Sequence, residues 1–103
     1  VAWYGLRREA YMKRTDKRKT VAYSAVFTRE GIGYIVEFPA LDGCVTQGDS
    51  LREAKAKGRD ALRGYLKTLR ANDDSWPEDH GPRRHNRNHR VVRLRVRLTD
   101  MTE

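Results

Sequence analysis

Hydrophobic and polar positions change rhythm several times along the chain. Across residues 2–14, Trp3, Leu6 and Ala10 recur at spacings of three and four, with Tyr4 and Tyr11 beside them, which predicts a short amphipathic helix. Such a helix is too short to be stable alone, so it is expected to dock on the rest of the domain or on a second copy. Lys13–Thr20 is a charged connector. From Val21 to Thr28 the rhythm becomes two: Val21, Tyr23, Ala25 and Phe27 share one face of a predicted strand. Glu30-Gly31-Ile32-Gly33 is a turn, and Tyr34–Phe38 is the return strand, with Tyr34, Val36 and Phe38 on one face. Pro39 stops it, because proline has no N–H for the ladder. Ala40–Gly43 is a second turn and Cys44–Gln47 a short third strand.

The period then shifts to 3.6. Ser50-Leu51-Arg52-Glu53 is a capping box, in which the Ser50 hydroxyl accepts from the residue-53 N–H and Glu53 reaches back. Asp49 and Glu53 both suit the positive end of the helix dipole. Leu51, Ala54, Gly58, Ala61, Leu62, Tyr65, Leu66 and Leu69 form one face of a helix that runs to about residue 71, roughly 30 Å. Gly58 on that face predicts a close approach to the sheet. The exposed face carries Arg52, Lys55, Lys57, Arg59, Arg63 and Lys67. Asn72–Asp74 end the helix, and residues 75–89, with Pro77, Gly81 and Pro82, read as a polar loop. Arg90–Leu98 alternates again, with Val92, Leu94, Val96 and Leu98 on one face and Arg93, Arg95 and Arg97 on the other.

The predicted fold class is α+β: an N-terminal helix, a three-stranded antiparallel meander, a long helix packed on one face and a returning fourth strand. Residues 1–20 are the helix and connector, and residues 21–103 the α+β domain, with 75–89 its loop and 90–98 its last strand. A right-handed crossover would set that last strand parallel to a strand of the meander.

Composition narrows the class of partner. With 22 Lys+Arg against 14 Asp+Glu, the net charge is +8, which favours RNA, DNA or an acidic protein surface. The excess sits at Lys13–Lys19 and from Arg83 to Arg97. Either these are binding surfaces or they are solvated basic tails. A single cysteine, Cys44, rules out a disulfide framework. No apolar run reaches the length of a membrane helix, and no signal-peptide pattern follows Leu6-Arg7-Arg8, so the expected location is cytoplasmic.

One stretch is distinctive. Pro39, Leu41, Gly43 and Cys44 in a turn, Gly48 and Ser50 in a Gly-x-Ser step, and Leu51, Glu53 and Ala54 at a helix start occur in one order and spacing. Residues 21–77 thereby resemble the HicB family, the antitoxins of bacterial and archaeal HicA–HicB toxin–antitoxin pairs. The resemblance implies a partial RNase H-like fold, β-β-β-α-β. It also implies a role: binding and masking a small HicA toxin, an mRNA-cleaving ribonuclease. Most such antitoxins add a C-terminal helix-turn-helix or ribbon-helix-helix domain that binds their own promoter, and these 103 residues are expected to lack it. Family members that bind basic toxins tend to be acidic, whereas this chain is +8, so an acid patch of Glu37, Asp42 and Asp49 would have to serve locally.

Catalytic chemistry is not expected. RNase H chemistry needs clustered carboxylates for Mg²⁺. The first strand contains no acid, and the last carries arginines. The expectation is therefore no enzyme activity, no catalytic residue, no metal and no cofactor. His80, His85 and His89 are either a metal site or a solvated loop; thiolate or carboxylate partners beyond Glu78 and Asp79 are missing nearby. HicA toxins place a histidine on a strand after a Gly-Ser step, and no histidine here has that setting. Cys44 lacks a neighbouring base, and a small buried role beside the turn suits it better. Trp3 and Trp76 either stack bases or pack at an edge.

Three functional readings follow. In the first, the chain is a HicB-like antitoxin or a solitary relative, contacting its toxin through Glu37, Phe38, Pro39, Ala40, Leu41 and Asp42. In the second, it is a basic nucleic-acid-binding module using Arg93, Arg95 and Arg97, which otherwise serve to block edge pairing. In the third, the N-terminal helix and an open sheet edge drive a homo-oligomer, dimer or higher.

Overall fold

Val21, Tyr23, Val26, Phe27 and Thr28 crowd β-branched and aromatic side chains into one segment, and that segment becomes the centre of the sheet. A computed structural model describes residues 20–84 and 86–98; the helix expected at 2–14 lies outside them. The elements are β1 (Thr20–Glu30), β2 (Gly33–Glu37), β3 (Val45–Gly48), α1 (Leu51–Ala71) and β4 (His89–Arg97). They form one four-stranded sheet in the order β3-β2-β1-β4, every neighbouring pair antiparallel, with α1 against one face. The α+β architecture, the meander and the long helix before a returning strand are those expected.

The two faces of the sheet differ. On the α1 side, Tyr23, Ala25 and Phe27 of β1, Val36 of β2 and Leu94 and Val96 of β4 meet Ala54, Leu62 and Leu66 of the helix, all buried. Burying each large side chain of this set stabilises the fold by about 1.5–3 kcal/mol. On the other face one row crosses all four strands: Val45, Glu37, Val26 and Val91 are register partners. Val26 is buried there, while Val45 and Val91 are 53% and 43% exposed.

The helix lies close because its buried face is thin. Ala54, Gly58, Leu62 and Leu66 recur every four residues. A Cβ at Gly58 would come within 2.8 Å of Leu94 Cδ1, which is the close approach that a glycine on this face predicts. Ser50 caps the helix, its Oγ accepting from the Glu53 N–H at 3.1 Å. The return bond differs slightly from the expected box: the Glu53 carboxylate accepts from the N–H of Asp49, one residue before the cap. At the other end the Asp73 and Asp74 N–H groups close on the carbonyls of Arg70 and Leu69, with Asp73 in the left-handed region at φ 59°.

The last strand refines an expectation. β4 pairs with β1 and runs antiparallel to it, from Thr28↔His89 to Thr20↔Arg97. The parallel crossover expected from the right-handed rule does not form: β4 runs opposite to β3, the strand before the helix, and shares only the direction of β2, from which β1 separates it. The reason lies in residues 72–88, which deliver the chain to the Thr28 end of β1 before β4 begins. Those residues also depart from a free polar loop. Trp76 Nε1 donates to the Leu66 carbonyl at 3.1 Å, the Tyr23 hydroxyl donates to the Pro77 carbonyl, and Asp79 accepts from Ser24. Among the described residues no helix is long and apolar enough to cross a membrane.

Candidate partner-binding surfaces

The signature turn is built by its own backbone. The Phe38 N–H donates to the Cys44 carbonyl at 3.2 Å, the Leu41 N–H to the Phe38 carbonyl at 2.9 Å, and the Cys44 N–H to the Leu41 carbonyl at 3.1 Å. Gly43, at φ 77°, occupies a conformation that a side chain strains, which accounts for glycine before the cysteine. From the helix, the Tyr65 hydroxyl donates to the Asp42 carbonyl at 2.8 Å and ties the turn to α1.

This turn sorts the residues expected to contact a partner. Phe38 and Leu41 are core residues, 3% and 1% exposed, so they shape the turn and leave only backbone to a partner. Glu37 and Asp42 are exposed, and Pro39 and Ala40 half-buried. The acid patch does not assemble: Asp42 precedes β3 and Asp49 follows it, so the strand's length separates them.

Sequence periodicity gives no sign of a groove beside the turn. Gly43, Cys44 and Val45 form one wall and Ala61, Gly64 and Tyr65 of α1 the other, around about 580 Å³ of mostly apolar space. It opens next to β3, which is an edge strand with no neighbour on its outer side among the described residues. The small residues Ala61 and Gly64 beside Tyr65 were the available signal, since their size on a helix face leaves room. Cys44 forms the floor. Its thiol donates weakly to the Ala61 carbonyl at 3.8 Å, and burial pushes its pKa up to about 11, so it is a packing residue and a poor nucleophile.

The second surface is basic. Arg93, Arg95 and Arg97 are all exposed on the sheet face away from α1, at the other edge of the sheet. Their register partners on β1 are Ser24, Ala22 and Thr20. Arg93 lies 3.7 Å from Asp79, whose carboxylate also holds Ser24. Burial, and after it the Asp79 charge, raises the pKa of the neighbouring Tyr23.

Among the described residues, His80 and His89 do not converge with other ligands. His80 Nδ1 contacts the Gly81 carbonyl, His89 sits in β4 with Nδ1 unpartnered, and His85 lies outside the described residues. Among the described residues no three His, Cys, Asp or Glu side chains come together as a metal site. Trp76 packs against the core with Arg70 over its ring, a packing role; Trp3 lies outside the described residues.

Comparison with known proteins agrees with this picture. No family model matches the chain. The UPF0150 protein Ta0767 of Thermoplasma acidophilum is 36% identical over 58 residues, 55% of this chain and 84% of that protein. A chain of a toxin–antitoxin complex from Streptococcus pneumoniae superimposes with a TM-score of 0.68 at 20% identity, covering 80% of this chain and 72% of that one. A chain of the HicA3 and HicB3 toxin–antitoxin complex superimposes with a TM-score of 0.56 at 16% identity, covering 71% and 94%. The signature of Pro39–Ala54 thus sits on a fold shared with chains of toxin–antitoxin complexes, and this chain belongs to the UPF0150 family.

Proposed function

We propose that this chain is a HicB-type antitoxin that binds and neutralises a small HicA-type mRNA-cleaving toxin in the cytoplasm, without catalysis of its own. One observation carries the reading: the HicB-like turn, Gly-x-Ser step and capped helix occur on a fold shared with chains of toxin–antitoxin complexes. The rigid turn at residues 38–44 and the apolar groove beside the β3 edge supply a docking surface of the right kind. An unpaired strand edge offers main-chain hydrogen bonds, and a neighbouring groove takes alternate side chains of an added strand. Asp42 in the turn and Glu37 just before it, on the sheet face away from α1, are exposed acids that suit a basic toxin despite the chain's net charge. Pro39 contributes a half-buried apolar rim, while Phe38 and Leu41 hold the turn's shape.

The experiment is co-purification of the chain with the product of the neighbouring gene. A stable complex that is lost on Glu37→Lys/Asp42→Lys, with the fold intact, fits the proposal. No complex with any small neighbouring protein contradicts it. Light scattering of the chain alone tests the accompanying expectation of a homo-oligomer.

A further inference from the structure

We propose that the arginine row of β4 is a second binding site, one that grips the backbone of a single-stranded nucleic acid independently of its sequence. This goes beyond toxin binding and stands or falls separately, since the row lies at the opposite edge of the sheet from the β3 groove.

Arg93, Arg95 and Arg97 alternate with the buried Leu94, Val96 and Leu98, so all three guanidinium groups leave the same face. Residues two apart in a strand are separated by about 6.6–6.8 Å. That pitch is comparable to the step between successive phosphates of an extended single strand. The backbone of a duplex curves away from a straight row within a few phosphates. Beside the arginines, Ser24, Ala22 and Thr20 are small, so a chain can lie close to the sheet.

Arg93 has one carboxylate nearby, Asp79 at 3.7 Å, with its own side chain still 60% exposed. Arg95 and Arg97 have no hydrogen-bond or ion-pair partner among the described residues. Nothing in the fold requires three like charges in a row; one charge would suffice to protect an edge strand. Seven arginines fall between residues 83 and 97; those at 83, 84 and 87 add positive charge on the approach to β4, while Arg90, the register partner of Phe27, lies on the opposite face from the row. No exposed aromatic side chain lies on this face among the described residues of β1 and β4, so the grip is on phosphates and carries no base preference.

The test is fluorescence anisotropy with labelled oligonucleotides of about 12 residues (single-stranded RNA, single-stranded DNA and duplex DNA) between about 50 and 200 mM salt. Three phosphate contacts give a slope of log affinity against log salt of about −2, or a loss of about 16-fold over that range, and loop arginines make it steeper. R93Q/R95Q/R97Q should flatten the slope by about 2, and R93K/R95K/R97K should restore it. R52Q/K57Q/R59Q removes the same charge from the outer face of α1 and should leave the slope unchanged. RNA and single-stranded DNA binding alike, with mixed and homopolymer sequences equal, supports a backbone grip. The proposal is overturned by equal effects of the two glutamine triple variants, by tighter binding of the duplex, or by an acidic peptide competing as well as the oligonucleotides. If the R93Q/R95Q/R97Q variant does not fold by circular dichroism, the single variant R95Q, expected to flatten the slope by about 0.7, decides the question.

Discussion

Asp79 holds Ser24 with both oxygens of its carboxylate: Oδ1 accepts from the Ser24 N–H at 2.8 Å and Oδ2 from the Ser24 hydroxyl at 2.9 Å. Ser24 is the one buried polar residue of the described core, and Asp79 belongs to the connection between α1 and β4. The pair therefore does two things. It satisfies polar groups in the middle of the central strand, and it fixes the path by which the chain reaches β4.

Asp79→Ala leaves the Ser24 donors without their acceptor and removes the carboxylate beside Arg93. The expected loss is about 1–3 kcal/mol of stability. Urea unfolding measures it, and a loss below about 0.5 kcal/mol would show that water replaces Asp79. Ser24→Ala/Asp79→Ala should cost less than the sum of the single changes, because the two residues share one set of bonds.

Gly48 tests the signature from the inside. A Cβ there would stand 2.5 Å from the Ala54 backbone nitrogen and 2.7 Å from its Cα, where the end of β3 meets the first turn of α1. Backbone atoms cannot swing aside as a side chain does. Gly48→Ala should therefore destabilise by more than about 2 kcal/mol, read by urea unfolding. Gly64→Ala, with open space around the new methyl group, should be neutral or stabilising by up to about 1 kcal/mol.

High pH should weaken the fold through Cys44. Burial raises its thiol from 9.0 to about 11, so the folded state disfavours the thiolate. The stabilisation is complete below pH 9 and is lost as pH rises towards 11. Tyr23, raised from 10.0 by burial and then by Asp79, acts in the same direction. Chemical denaturation between about pH 8 and 10.5 should show falling stability, and Cys44→Ala should reduce the slope. A flat profile would mean that Cys44 opens to water before it ionises.

Much of this fold is readable from periodicity. The alternation in Val21–Phe27 and in Arg90–Leu98, and the 3.6-residue face from Leu51 to Leu69, each name the side that the structure buries. Ser50 and Glu53 mark the helix start within one residue of its bond pattern. The tertiary links were not readable. Asp79 and Ser24 are 55 positions apart, and a polar residue in a polar stretch gives no local sign of its partner. Trp76 in that stretch was a clue, because a large aromatic seldom lies idle in a loop. The partner site shows a different limit. Apolar residues in a turn, such as Phe38 and Leu41, look like exposed contacts until the helix is laid over them. The groove exists only where two elements distant in sequence meet.

The turn separates recognition from folding. Asp42→Lys, on an exposed residue, should leave the unfolding midpoint nearly unchanged and weaken a toxin complex by about 10-fold or more. Leu41→Ala, at a fully buried site, should cost about 2–5 kcal/mol of stability. Calorimetric binding beside thermal unfolding distinguishes the two, and an Asp42→Lys variant with full affinity would move the interface away from the turn.

The measurement that bears most directly on the antitoxin reading is RNA cleavage by the neighbouring gene product, titrated with this protein. Cleavage should fall to background as this protein reaches a fixed ratio to the toxin, and Asp42→Lys should shift the titration to higher concentration. Cleavage that continues undiminished at a large excess of folded protein would contradict it.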